Sequence, residues 1–132
     1  MKHIDHVGVF VRDMDRLVEF YRDVVGLKVA ERLTMANGTE LAFLKIGDTG
    51  MIELIQRTAA AGDRPKEAIY GPHHVALQVE SVDTWAQRLQ HQGVPLTSGP
   101  SEFIAPSGRC RIAFFADPEG NVLELFEREH DL

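Results

Sequence analysis

The chain repeats itself, and a repeat of this length leaves few folds open. Placing "HVGVFVRDMDRLVEFYRDVVGLKV" (6–29) over "HVALQVESVDTWAQRLQHQGVPL" (74–96) matches His6 with His74, Val7 with Val75, Val11 with Val79 and Asp15 with Asp83. Dropping one residue before the first copy's glycine also aligns Gly26 with Gly93. A second echo follows in each half, "MIELI" (51–55) and "VLELF" (122–126), each after a polar turn. The chain therefore divides into a first module over 1–57, a linker over 58–71 with turn formers and no sustained apolar period, a second module over 72–128 and a short tail over 129–132.

Within each module the pattern predicts a strand, a helix and three further strands. In "IDHVGVFV" the residues Val7, Val9 and Val11 alternate onto one face, the period of a strand. Asp13 is placed to cap a helix whose apolar face is Leu17, Phe20, Tyr21, Val24 and Val25, and Gly26 is placed to end it. "KVAERLTM" and "TELAFLKI" flank the turn "ANG", and "MIELIQ" completes the set. The second module uses Ser81 as cap, Val82, Trp85 and Leu89 as the helical face and Gly93 as stop. Its last hairpin is expected at "DPEGN", with Pro118 second and Gly120 fourth in a type I turn. The fold class is thus α+β: two pseudo-symmetric βαβββ modules forming a curved, partly open sheet with helices on the outer face.

Alternation also fixes where the histidines point. His6, Gly8 and Phe10 share the face opposite the valines, as do His74, Ala76 and Gln78 in the second module, so both histidines are expected to look into the concavity of the sheet. By the same rule His73 falls on the opposite face, toward the helix layer, or stands at the strand's entrance, and a structural role is its default. Glu53 and Glu124 stand in the middle of apolar strands. A buried carboxylate needs a cation or a hydrogen-bonded charge beside it. A lone strand histidine is usually structural, and a lone glutamate usually pairs with a base. The recurrence of all four at equivalent places points instead to a divalent-metal site of His6, Glu53, His74 and Glu124, in which two carboxylates balance a 2+ ion. His3 and His130 near the ends, and His91 near a helix end, lack that support. Phe43, Phe114 and Phe115 read as core or pocket wall, and Cys110 as a small apolar side chain.

Composition removes several classes of partner. A formal net charge of -6 without a cluster of Lys or Arg argues against nucleic acid. No apolar run approaches the ~20 residues of a membrane span, and the start "MKHIDHVGVF" lacks the plan of a signal peptide. One cysteine precludes an internal disulfide. The expectation is a cytoplasmic protein with a small-molecule substrate.

The motifs "IDHVGVFVRDMDRLVEFYRDVVGLKV", "MIELI", "GPHHVALQV" and "FFADPEGNVLELFE" resemble the vicinal oxygen chelate superfamily of glyoxalases, bleomycin-resistance proteins and dioxygenases, over nearly the whole chain. The resemblance is closest to bacterial-type glyoxalase I. It implies paired βαβββ modules, one divalent metal per site (Ni, Co, Mn, Fe or Zn) on His6, Glu53, His74 and Glu124, and commonly a homodimer. It implies a lyase or isomerase that works through an enediolate on vicinal oxygens, with Glu124 as the base and Glu53 as its symmetric alternative. Superfamily alternatives are an epimerase of the methylmalonyl-CoA type, a dioxygenase, a thiol transferase, or a non-catalytic antibiotic-binding protein. Glyoxalase I sequences commonly carry Arg four residues after the first His and Asn four after the first Glu, to hold glutathione. Phe10 and Arg57 stand there in this chain. A glutathione thiohemiacetal is therefore one candidate beside other small carbonyl or hydroxy-acid substrates.

Overall fold

The computed structural model describes residues 4–57, 62 and 71–130. The linker expected over 58–71 lies outside the described residues apart from Gly62 and Gly71, as do 131–132 of the tail and His3. Contacts divide the chain into two compact units, Met1–Pro65 and Lys66–Leu132. The first contains β1 (His6–Phe10), α1 (Met14–Glu19), β2 (Lys28–Thr34), β3 (Glu40–Ile46) and β4 (Gly50–Gln56). The second contains β5 (Val75–Gln78), α2 (Val82–His91), β6 (Leu96–Ala105), β7 (Gly108–Ala116) and β8 (Val122–Arg128). The sheets run β1-β4-β3-β2 and β5-β8-β7-β6, with the first strand of each parallel to the last and the other pairs antiparallel. Each unit is thus a βαβββ module of an α+β protein.

One face of each sheet packs on its helix. In the first unit Ala42, Leu44, Ile52 and Leu54 are fully buried together with Leu17 and Tyr21. In the second, Leu77, Ala113, Phe115, Leu123 and Leu125 are buried together with Val82 and Leu89. The valine face of β1 follows only in part: Val11 is buried but Val7 is 40% exposed. β1 is an edge strand of its sheet and α1 lies over β3 and β4, so the start of β1 lacks a helical cover. Trp85 is half-buried rather than core, with Arg88 over its ring at 4.5 Å. No described helix is long and apolar enough to cross a membrane.

Both helices are capped twice over. Asp13 accepts from the Arg16 backbone N–H at 3.1 Å, and Ser81 from that of Thr84 at 3.2 Å. A side chain at the end of the last strand then accepts the first helical N–H: Gln56 from Met14 at 2.6 Å and Glu127 from Val82 at 2.9 Å. The aligned Asp15 and Asp83 meet Arg32 and Arg111, each at 2.6 Å. These contacts hold both guanidinium pKa values above their ordinary range, chiefly through the hydrogen bond to each aspartate.

The extra residue of the first copy is absorbed inside its helix. After α1 the chain continues as a π-helix, Phe20–Val24, in which the Val25 N–H donates to the Phe20 carbonyl five residues back at 3.2 Å. In α2 the Gln92 N–H donates to Arg88, four residues back. The wider spacing accommodates one more residue while Leu17, Tyr21 and Val25 stay buried. Gly26 (φ 84°) and Gly93 (φ 74°) then turn the chain out of the helix. The β7–β8 turn forms as expected, with the Gly120 N–H donating to the Asp117 carbonyl at 2.9 Å.

Candidate metal centre

On the sheet face away from α1, Gly8, Glu53 and Phe43 lie side by side on β1, β4 and β3. His6, two residues earlier on β1, brings its Nε2 to 3.4 Å from Glu53 Oε2 and stands edge-to-face with Phe43 at 5.6 Å. Its Nδ1–H donates to Asp5 Oδ1 at 2.8 Å. Gly8 supplies the space, because a Cβ there would stand 3.4 Å from Glu53 Oε2 and 3.2 Å from Ile55 Cδ1.

The second unit repeats the arrangement. Ala76, Glu124 and Phe114 lie side by side on β5, β8 and β7. His74 Nε2 is 3.0 Å from Glu124 Oε2, and the His74 ring is edge-to-face with Phe114 at 5.5 Å. His74 Nδ1 lies 2.9 Å from His73 Nδ1, so one ring donates and the other accepts. β5 begins at Val75, so the doublet precedes the strand, and His73 stands exposed at its entrance beside His74, the second of the two places expected for it.

The structure thus brings His6 to Glu53 and His74 to Glu124. Within each unit the described residues gather these two donors rather than three or more. Both pairs fit a share in a divalent ion. Bonds of about 2.0–2.2 Å from His nitrogen and Glu oxygen put neighbouring ligand atoms about 3 Å apart, and the observed separations are 3.0 and 3.4 Å. The charge also fits: Glu124 is buried, and among the described residues its ion-pair partner is the imidazole of His74. An imidazole carries a full positive charge only when protonated, so this carboxylate lacks a permanent counter-charge.

The partners of the histidines, Asp5 and His73, escaped the sequence reading. A residue next in sequence to a strand histidine is expected on the other face; both stand before the strands begin, where that rule lapses. Phe43, Phe114 and Phe115 were expected as core or pocket wall; Phe43 and Phe114 border the imidazoles. Both are half-buried against the imidazoles, whereas Phe115 is core. His91 and His130 are exposed and stand in neither pair.

Comparison with known proteins agrees with the paired βαβββ fold. The model of the Glyoxalase/Bleomycin resistance protein/Dioxygenase superfamily matches residues 3–125. A probable lactoylglutathione lyase of Vibrio cholerae is 31% identical over 94% of this chain and 89% of its own length. A 2-epi-5-epi-valiolone epimerase of Actinomyces is 31% identical over 92% of this chain and 77% of its own. The trypanothione-dependent glyoxalase I of Leishmania major superposes with a TM-score of 0.73 at 27% identity, covering 92% of this chain and 84% of that one. With its duplicated βαβββ units and matched His–Glu pairs, the chain belongs to the glyoxalase, bleomycin-resistance and dioxygenase superfamily.

Proposed function

We propose that the chain is a divalent-metal-dependent lyase or isomerase of glyoxalase type, acting through an enediolate on a small substrate with two neighbouring oxygens. His6, Glu53, His74 and Glu124 form its ligand set, and Ni, Co, Mn, Fe and Zn all suit such donors. The observation that carries the reading is the buried Glu124 carboxylate, whose ion-pair partner among the described residues is an imidazole, with the same pairing at the half-buried Glu53 and His6. The lyase and epimerase names of its relatives support it.

A bound divalent ion supplies Lewis-acid polarisation of a substrate carbonyl. Glu124 takes the proton from the adjacent carbon and delivers it to the neighbouring one, with Glu53 as the symmetric alternative. Asp5 and His73 hold the Nδ1 sides of His6 and His74, leaving both Nε2 atoms to face the carboxylates. Phe43 and Phe114 limit rotation of the two rings. The substrate is a small carbonyl or hydroxy acid, including a thiol adduct, and the enzyme works in the cytoplasm as a homodimer.

Anaerobic turnover in D2O tests this reading, with methylglyoxal plus glutathione in one arm and α-hydroxy carbonyl compounds in the other. The expected result is deuterium on the carbon that had been the carbonyl, abolished by a chelator and restored by divalent metal. Turnover that requires oxygen, or exchange indifferent to chelator, contradicts it.

A further inference from the structure

Where the register of the two sheets sets charged residues directly opposite one another, the signs are opposite at Glu102 and Arg111 and at Arg111 and Glu127, but Lys28 of β2 faces Lys45 of β3. These are the two lysines among the described residues. Like charges so placed repel and weaken a strand pair. Leu44, next to Lys45 in β3, is fully buried on the helix side, so alternation turns Lys45, and with it Lys28, to the other face. That is the face of His6, Glu53 and Phe43. One row runs across it through His6, Met51, Lys45 and Lys28, on β1, β4, β3 and β2. Lys45 thus stands two strands, about 10 Å, from His6.

Among the described residues neither ammonium has a carboxylate within ion-pair distance. Acid is close at hand, since Asp5 and Asp48 line a small cavity with Lys45 and Met51, and Glu31 lies opposite Phe43 in the next row. Asp5 is engaged by His6 Nδ1 instead. Both lysines are exposed, and each has three N–H donors to offer. The second module lacks the pair. Two residues after Phe43 stands Lys45, opposite Met51, whereas two residues after Phe114 stands Ala116, opposite Val122. A repulsive pair kept in one copy, on the face that carries the His–Glu pair, serves a ligand better than it serves its own sheet.

We infer that Lys28 and Lys45 together form an anion subsite, which binds a carboxylate or phosphate group borne by the substrate several bonds from its reacting carbons. Two ammonium groups act there as point charges converging on one anionic group. Their presence in one module alone fixes which end of the substrate lies toward β2. The inference rests on the proposed function only in taking this sheet face as the substrate's resting place. Its test needs neither metal nor turnover.

Lysine Cε–Hε signals of the full-length protein are followed by NMR at constant ionic strength during titration with inorganic phosphate, succinate or the neutral succinamide. Lys28→Met and Lys45→Met assign the two signals. The expected result is a saturable shift of both signals, with a common midpoint, in phosphate, in succinate or in both, and none in succinamide. Which anion saturates them distinguishes phosphate from carboxylate. Each lysine substitution, read on the remaining signal, should weaken binding about tenfold or more. Arg16→Met, which removes an exposed charge from α1, should leave binding unchanged. Shifts that do not saturate, that vanish after dialysis against a chelator, or that Arg16→Met weakens as much as the lysine variants do, overturn the inference. Both lysine variants should also unfold at a urea midpoint no lower than the parent's, because each relieves a repulsion. A lower midpoint for both would make the lysines supports of the sheet and overturn it as well. Saturable binding in a protein that proves metal-free would leave the subsite standing while the proposed catalysis fell.

Discussion

In the second module His74 and Glu124 meet at 3.0 Å and the Glu124 side chain is 7% exposed, whereas in the first His6 and Glu53 stand 3.4 Å apart and the Glu53 side chain is 13% exposed. The imidazole of the first is backed by a carboxylate, Asp5, and that of the second by another imidazole, His73. The N-terminal N–H of the first helix is met by an amide, Gln56, and that of the second by a carboxylate, Glu127. The copies keep the His, the Glu, the Phe beside the His and a strand-end acceptor for the helix. They vary the chemistry one contact further out. Such a split is expected if the shared function requires the donor atoms, while their supports need only do equivalent mechanical work.

The most direct way to break the equivalence is at the carboxylates. Glu124→Gln is expected to lower kcat about 10²–10⁴-fold, the usual contribution of a general base. Glu53→Gln should lower it less and act mainly through metal retention. Single-turnover rates on metal-reloaded protein separate the two, and the reverse order assigns the base to Glu53.

The helices offer the next contrast. Deleting exposed Arg22 lets the π-helix close to four-residue spacing and should cost under about 1 kcal/mol, by analogy with α2, which lacks the extra residue. Deleting exposed Gln87 from α2 rotates Leu89 against Val82 by about 100°. It should cost about 3 kcal/mol or more, as does removal of a buried leucine. Urea unfolding measures both; equal costs would show that the π segment is not an accommodated insertion.

Much of this was legible in the chain. The duplication showed in His6, Asp15 and Gly26 against their counterparts, and strand alternation separated Glu53 and Glu124 from their apolar neighbours. Caps at Asp13 and Ser81 and the turn at Asp117–Gly120 depend on residues within four of one another, where local sequence speaks plainly. The surplus residue before Gly26 was visible as a gap, but sequence spacing does not say whether a helix bulges or a loop lengthens. Gln56 reaching Met14, and Arg57 reaching Phe10, span more than forty positions and follow no periodicity. Val7 and Trp85 stay partly open because the pattern marks a face, not how far the opposing layer extends.

The contacts behind the histidines give a smaller effect. Asp5→Asn keeps an acceptor but removes its charge, and should weaken metal binding about 10-fold, at the low end of the 10–100-fold typical of such partners. His73→Ala should weaken it less, since His73 backs His74 with an imidazole rather than a carboxylate. Competition with a chromophoric chelator measures both, and equal losses would erase the distinction between the modules. Smallest are the strand-end caps. Gln56→Ala should cost about 1 kcal/mol and Glu127→Ala somewhat more, because the carboxylate also faces the positive end of a helix dipole. Chemical denaturation at low salt resolves the difference, and adding salt should shrink it.

Whether both His–Glu pairs serve a divalent ion is tested most directly by elemental analysis of protein purified without chelator. About one bound divalent metal per four-ligand set is expected, lost on His6→Ala and equally on His74→Ala, with both variants still folded by circular dichroism. Metal-free native protein, or metal content unchanged by either substitution, would contradict it.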